Sequence, residues 1–208
     1  MEDVLETYEQ PYDATQPMVC FDETSKQLIG ETRCPLPMEP GQAARYDYEY
    51  ERHGTRNLFM FFEPLNNYRH VRVTERRTNR DFAHCMQWLA EEAYPEAVCI
   101  HVVLDNLSTH TYAALYDTLE PAQARSIARR IRFHYTPKHG SWLNMAEIEF
   151  SVLSRVCLKQ RIPDEATLVR EVQALVNERN AKGATVNWQF TAADARTKLK
   201  RLYPAISS

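Results

Sequence analysis

Asp22 and Asp105 each close an apolar run, MVCFDET and AVCIHVVLD, and Glu147 stands three residues past Asn144 where a helical stretch begins. A charged group at the end of a buried strand costs free energy unless it is paired or bound to a cation. Carboxylates on two strand ends and one helix start can converge on one point. Hard oxygen ligands of that kind suit Mg²⁺ or Mn²⁺. Two such ions, roughly 4 Å apart, clamp an in-line phosphoryl displacement at its attacking and leaving oxygens. Each residue also has a plainer reading. A strand-terminal Asp caps the next turn, and Asn144-x-x-Glu147 has the spacing of a helix capping box. Glu149 competes with Glu147, because helix residues two apart point roughly 160° from each other. A helical wheel sets Glu149 among Met145, Ile148, Val152 and Val156 and puts Glu147 on the polar side. The wheel leaves the choice open, since the sheet-facing side is also where a metal could lie.

Other chemistries lack their residues. Five glycines form neither GxxxxGK[ST] nor GxGxxG, so ATP and NAD chemistry are unsupported. Ser108 and Ser141 lie near histidines but outside any G-x-S-x-G elbow. The five cysteines show no CxxC or Cys/His ligand spacing, which argues against a zinc site or a disulfide framework.

The elements that must position the acids follow from periodicity. Residues 1–16 read as a short helix or loose lead-in, 18–24 as a strand and 31–43, rich in proline, as a loop. RYDYEYE (45–51) alternates like a strand, HGTRN (53–57) reads as a turn, and LFMFFEPL (58–65) and YRHVRVTE (68–75) are strands around an Asn66-Asn67 turn. Phe82, Cys85, Met86 and Leu89 mark one helix face. Residues 97–105 read as a strand covered on both sides, 111–130 as two helical pieces divided at Pro121, and 131–137 as a further strand. Helices are expected over 144–160, from Pro163 to about Asn180, and from Thr191 to Tyr203. This order predicts an α/β fold: a mixed sheet, antiparallel meander plus parallel strands, with helices on both faces and extra C-terminal helices. Ligands of such sheets sit beyond the carboxyl ends of the parallel strands.

The 208 residues suit one domain, or one with a small appendage. Hydrophobic residues are 44% and charged residues 25%, which argues against a disordered chain. No apolar run is long enough to span a membrane, and the acidic N-terminus has no signal-peptide core. A scattered, odd cysteine set points to a reducing, cytoplasmic compartment. The net charge of −3 argues against a dedicated nucleic-acid-binding module and leaves room for an enzyme that meets DNA through local patches.

CFDET, VVLDNLSTH and HYTPKHGSWLNMAEIEFSVLSR resemble the three blocks of a DDE transposase, of the bacterial insertion-sequence kind in the mariner superfamily. Against the pattern W-L-N-P-I-E-x-L-W, Trp142, Leu143 and Asn144 match, Glu147 takes the acid position and Phe150 replaces the tryptophan. Asp22 takes the first acid and Asp105 the second, with Asn106 and His110 matching D-N-x-x-x-H. The likeness covers about residues 17–160. It implies a ribonuclease H-like catalytic domain over 17–162, after a lead-in over 1–16 and before a helical extension over 163–208. It also implies that Asp22, Asp105 and Glu147 hold two Mg²⁺ or Mn²⁺ ions. The reaction would be hydrolysis of DNA at transposon ends, then attack of the freed 3′-hydroxyl on target DNA, by a homodimer when active. Two departures stand out. Forty-one residues (106–146) separate Asp105 from Glu147, more than in many relatives. The helix-turn-helix region that usually precedes the family's catalytic domain is also missing, as though it were separate or lost. A non-catalytic DNA-binding or regulatory remnant, or a nuclease that cuts without joining, is the alternative.

Several further residues are candidates for contacting DNA. Asn106 and His110 follow the second acid, Lys138, His139 and Trp142 flank the site loop, and Arg129 and Arg130 belong to one basic stretch. Arg69, Arg72, Arg76, Arg77 and Arg80 form another, either phosphate-binding or merely solvated. Asp105 has no cationic neighbour in sequence, so neutralising it is expected to hold or raise stability.

Overall fold

The computed structural model describes residues 1–34, 36–43, 45, 47–138, 140–200 and 203. Helix α1 (Glu2–Tyr8) leads into strand β1 (Met18–Glu31), which pairs antiparallel with β2 (Tyr50–Glu63). Asn67, at φ 53°, turns the chain into β3 (Tyr68–Thr74). Helix α2 (Asn79–Trp88), extended by a π-helical turn over Leu89–Ala93, precedes β4 (Ile100–Leu104). Helices α3 (Tyr112–Thr118) and α4 (Pro121–Arg130) lead to β5 (Ile131–Tyr135), followed by α5 (Ala146–Val156), α6 (Glu165–Ala181) and α7 (Ala192–Lys198). The sheet order is β3-β2-β1-β4-β5, with β1, β4 and β5 parallel and the first three strands a meander. No helix among the described residues is long and apolar enough to cross a membrane.

Strand alternation divides the core in two. Met18 and Cys20 point toward one buried cluster, which α1, α5, α6 and α7 complete. Val19 and Phe21 point toward the other, under α2, α3 and α4. Asp22 continues the first set and Glu23 the second, so these adjacent acids face opposite sides of the sheet. Of the two readings of residues 1–16 the short helix is the one formed: Val4, Leu5 and Tyr8 of α1 are buried in the first cluster, and the Tyr8 hydroxyl donates to the Leu143 carbonyl at 2.7 Å.

Two local expectations are corrected. HGTRN lies inside β2 rather than in a turn. Gln27 pairs with Thr55 and Ile29 with Arg52, so His53 and Gly54 together face Leu28 in a bulge. Gly54 has φ 89°, a left-handed conformation that serves a bulge as well as a turn, so the glycine alone does not tell the two apart. The alternating stretch 45–51 enters β2 only at Tyr50. Arg45 forms an isolated bridge to Leu36, and Tyr46 lies outside the described residues.

Candidate active site

The three acids come to the carboxyl end of the parallel strands. Asp22 sits on β1 opposite Met60 of β2, Asp105 directly follows β4, and Glu147 lies in the first turn of α5. Asn144, fully buried, fastens that turn to β1. Its Nδ2 donates to the Phe21 carbonyl at 2.8 Å, and its Oδ1 accepts from the Ala146 amide at 3.1 Å. The capping box between Asn144 and Glu147 is therefore not formed, and the Glu147 side chain is left exposed.

Burial is the main reason the Asp22 carboxyl is raised to about 7. The charges of Glu147, Glu23 and Asp105 add to it, and a hydrogen bond from the Glu23 amide at 2.8 Å opposes it. No cationic side chain pairs with Asp22 among the described residues. Asp105 behaves differently. Its Oδ1 lies 2.8 Å from His110 Nδ1 and accepts from the Leu107 amide at 3.1 Å, and the His110 contact holds its carboxyl below the usual range. His110 is buried, which by itself lowers its pKa. The bonds to Asp105 and to Glu23, the latter 3.1 Å from Nε2, outweigh burial and raise it to about 9. The cationic partner that Asp105 lacks in sequence is thus supplied in space, and with it the expected effect of neutralising Asp105 becomes a loss of stability.

Glu149 is turned away from the other acids and buried. Arg69 reaches it through Nε and Nη2, both at 2.9 Å, and Arg179 through the same two atoms at 3.0 and 2.9 Å. Burial raises the Glu149 pKa, but the two guanidinium groups hold it below the usual value. Arg69 is itself buried and so cannot meet a phosphate.

The remaining candidates separate. Lys138 and Asn106 line a shallow cavity of about 230 Å³ beside Asp105, together with Leu107, Thr136, Pro137 and Ser141. Asn106 is half engaged there, its Nδ2 donating to the Thr136 carbonyl. Trp142 is 46% exposed and stands edge-on to Phe190, with ring centroids 5.3 Å apart. His139 lies outside the described residues. Arg129 and Arg130 are not brought to the acids. They end α4 just before β5, at the opposite end of a five-residue strand that reaches the site only past Tyr135, a separation of about 16 Å. The Arg130 guanidinium also spends four of its five N–H groups on the carbonyls of Ala90, Tyr94, Pro95 and Ala97, where the π-helical turn ends. Sequence reasoning passed over Glu23. Its signal was a second acid, one residue along a strand, facing an aromatic core.

Asp22, Asp105 and Glu147 offer hard oxygen donors, and Asp22 lacks a counter-charge, so the set fits a divalent cation. Among the described residues no three His, Cys, Asp or Glu side chains already close into a metal cage. Asp105 is directed at His110 and Glu147 at solvent.

The chain belongs to the DDE superfamily endonuclease family, whose model matches residues 17–169 and so takes in all three acids. No curated protein matches it. Among solved structures it is similar to the Mos1 transposase paired-end complex with left transposon end, at TM-score 0.55 and 15% identity over 86% of this chain and 54% of that one. It is also similar to a pre-cleavage Mos1 transpososome, at 0.56 and 13% over 89% and 60%. A third similar structure is the Mos1 mariner paired end complex with Mn, at 0.53 and 16% over 86% and 54%. The fold is thus the ribonuclease H-like one of these proteins, and the chain spans little more than half of their length.

Proposed function

We propose that residues 17–162 form the catalytic domain of a DNA transposase, with 1–16 as a lead-in and 163–208 as its helical extension. Asp22, Asp105 and Glu147 would hold two divalent ions, Mg²⁺ or Mn²⁺. The observation that carries this reading is Asp22, a half-buried carboxyl with no cationic partner among the described residues, on which the charges of Asp105 and Glu147 both act. When bound, the ions supply positive charge to the attacking and leaving oxygens of a phosphodiester. The chain's own part is to hold the three carboxylates on separate rigid elements and to orient the DNA strand. Lys138, exposed beside Asp105, meets a phosphate, and the free part of Trp142 gives a base a surface to stack on.

The substrate is DNA, first cleaved at a transposon end and then joined to a target. The active form is a homodimer. Base reading comes from a helix-turn-helix region lying upstream or on a separate chain. The element is a bacterial insertion sequence and the protein works in the cytoplasm. The test is cleavage and joining of labelled duplex with Mg²⁺ or Mn²⁺. Asp22→Asn, Asp105→Asn and Glu147→Gln should each lose both steps by several orders of magnitude while remaining folded. Activity retained in any one of them removes that residue from the set. Cleavage without joining by the unaltered chain would favour the simple nuclease.

A further inference from the structure

Glu23 and His110 lie beside the three acids, yet neither is a ligand in the proposed reaction. Strand alternation turns Glu23 away from Asp22 and toward the side of the sheet occupied by Phe21, Phe59, Phe61 and Phe82. Its side chain is 4% exposed there, and that of His110 is 1% exposed. The His110 ring packs against Phe82 and Phe21, with centroids 4.8 and 5.5 Å away. A buried carboxylate against aromatic rings is costly unless it is paired, and a buried pair is in itself a poor source of stability. The pair leads somewhere, however. One ring nitrogen faces Glu23 Oε2 and the other faces Asp105 Oδ1. With a carboxylate oxygen at each end, both nitrogens must donate, because a bare ring nitrogen would set lone pair against lone pair. Oδ1 of Asp105 also accepts from the Leu107 amide, so that oxygen is saturated and the carboxylate plane is fixed, with Oδ2 left for the site. The Tyr135 hydroxyl holds the His110 carbonyl at 2.7 Å, which restrains the ring from its backbone side.

We propose that Glu23 is a positioning residue: through His110 it sets the orientation of Asp105 and so presents a single carboxylate oxygen to the cation. The proposal rests on Asp105 being a ligand, as in the reading above. An outer carboxylate that orients an inner ligand typically changes metal affinity by about 10–100-fold.

The experiment is Mn²⁺ binding to the full chain without DNA, read as free Mn²⁺ by electron paramagnetic resonance. Circular dichroism and thermal melting are run on the same samples. Glu23→Gln and His110→Gln should each weaken Mn²⁺ binding by about 10-fold or more, and the double variant should be no weaker than the worse single one, because the two act as one unit. Asp105→Asn should weaken it at least as much. Unchanged binding in folded Glu23→Gln, with weakened binding in Asp105→Asn, overturns the positioning role and leaves the ligand reading intact. Unchanged binding in Asp105→Asn overturns the ligand reading, and this proposal with it. If Glu23→Gln does not fold, His110→Gln decides, since it keeps an amide donor inside the same aromatic pocket.

Discussion

Glu147 and Glu149 stand one residue apart from being interchangeable in the sequence, and the structure gives them opposite consequences. In Glu149→Gln, the Arg69 and Arg179 guanidinium groups lose the carboxylate that accepts four hydrogen bonds from them at 2.9–3.0 Å, and Arg69 keeps only its bonds to the Asn67 and Ala184 carbonyls. Arg69, with only 1% of its side chain exposed, has no water to turn to. Removing one partner of a buried ion pair costs about 3–5 kcal/mol, against a total stability of about 5–15 kcal/mol for a domain. At about 2–4 °C per kcal/mol for a chain of this size, the melting temperature should fall by roughly 6–20 °C. Glu147→Gln, at an exposed position, should move it by less than about 2 °C while abolishing cleavage. Thermal unfolding at pH 7, followed by circular dichroism, measures both. The loss in Glu149→Gln should also shrink in acid. The lowered carboxyl of Glu149 contributes fully above its unfolded pKa of about 4.3, and that contribution disappears as pH falls through the folded value. A Glu149→Gln variant as stable as the parent at pH 7, or a Glu147→Gln variant that melts 10 °C lower, would refute the separation of the two roles.

Asp22→Asn should stabilise the metal-free chain by about 1–2 kcal/mol at pH 8 and by nothing near pH 4. The folded carboxyl titrates near 7, so between about pH 4 and 7 the folded state keeps a proton that the unfolded state has released, and stability falls as pH rises. Denaturant titrations at the two pH values would show a loss instead if Asp22 were a turn cap. Asp105→Asn should cost about 1–3 kcal/mol below pH 6.5, where His110 is protonated in both states, and the cost should fade as pH rises through about 9; a melting temperature that rises at pH 6 would contradict the ion pair. Duplex DNA should bind at micromolar strength or weaker, with little preference for transposon ends and a steep salt dependence. A competition titration at two salt concentrations tests this, and tight end-specific binding would place a base-reading surface within these residues.

The acids of the proposed site stood out because Asp22 and Asp105 each interrupt an apolar run, a conflict that a strand resolves with a turn cap or with a site at its end. The meander and the parallel pair were legible because their strand periods differ. Cationic residues were the least readable. Arg69, Arg130 and Lys138 are alike as positive charges in a sequence, and only the packed structure shows one buried on a glutamate, one spent on four carbonyls and one exposed beside Asp105. Glu23 was hidden by its neighbour, since two adjacent acids look like one polar end until the pleat assigns them to opposite faces. The first sixteen residues leave a short helix and a loose lead-in both open, because EDVLETY is mostly polar, yet Val4, Leu5 and Tyr8 cover one side of α1.

Strand order also bears on how the chain acquires its site over time. Strands β1, β2 and β3 are joined by neighbouring segments, whereas Cys20 must find Val103, and Val103 must find His134, across long stretches of chain. Closing such distances is entropically slow, so local hairpins form ahead of parallel pairings. Asp22 therefore enters the early meander with only Glu23 beside it, and the other two acids that repel it, Asp105 and Glu147, arrive with the later elements. The mutual repulsion of the three carboxylates then weighs on the final docking of β4 and α5 rather than on nucleation. Neutralising Asp22, which has no cationic partner among the described residues, should therefore slow unfolding and leave the refolding rate nearly untouched.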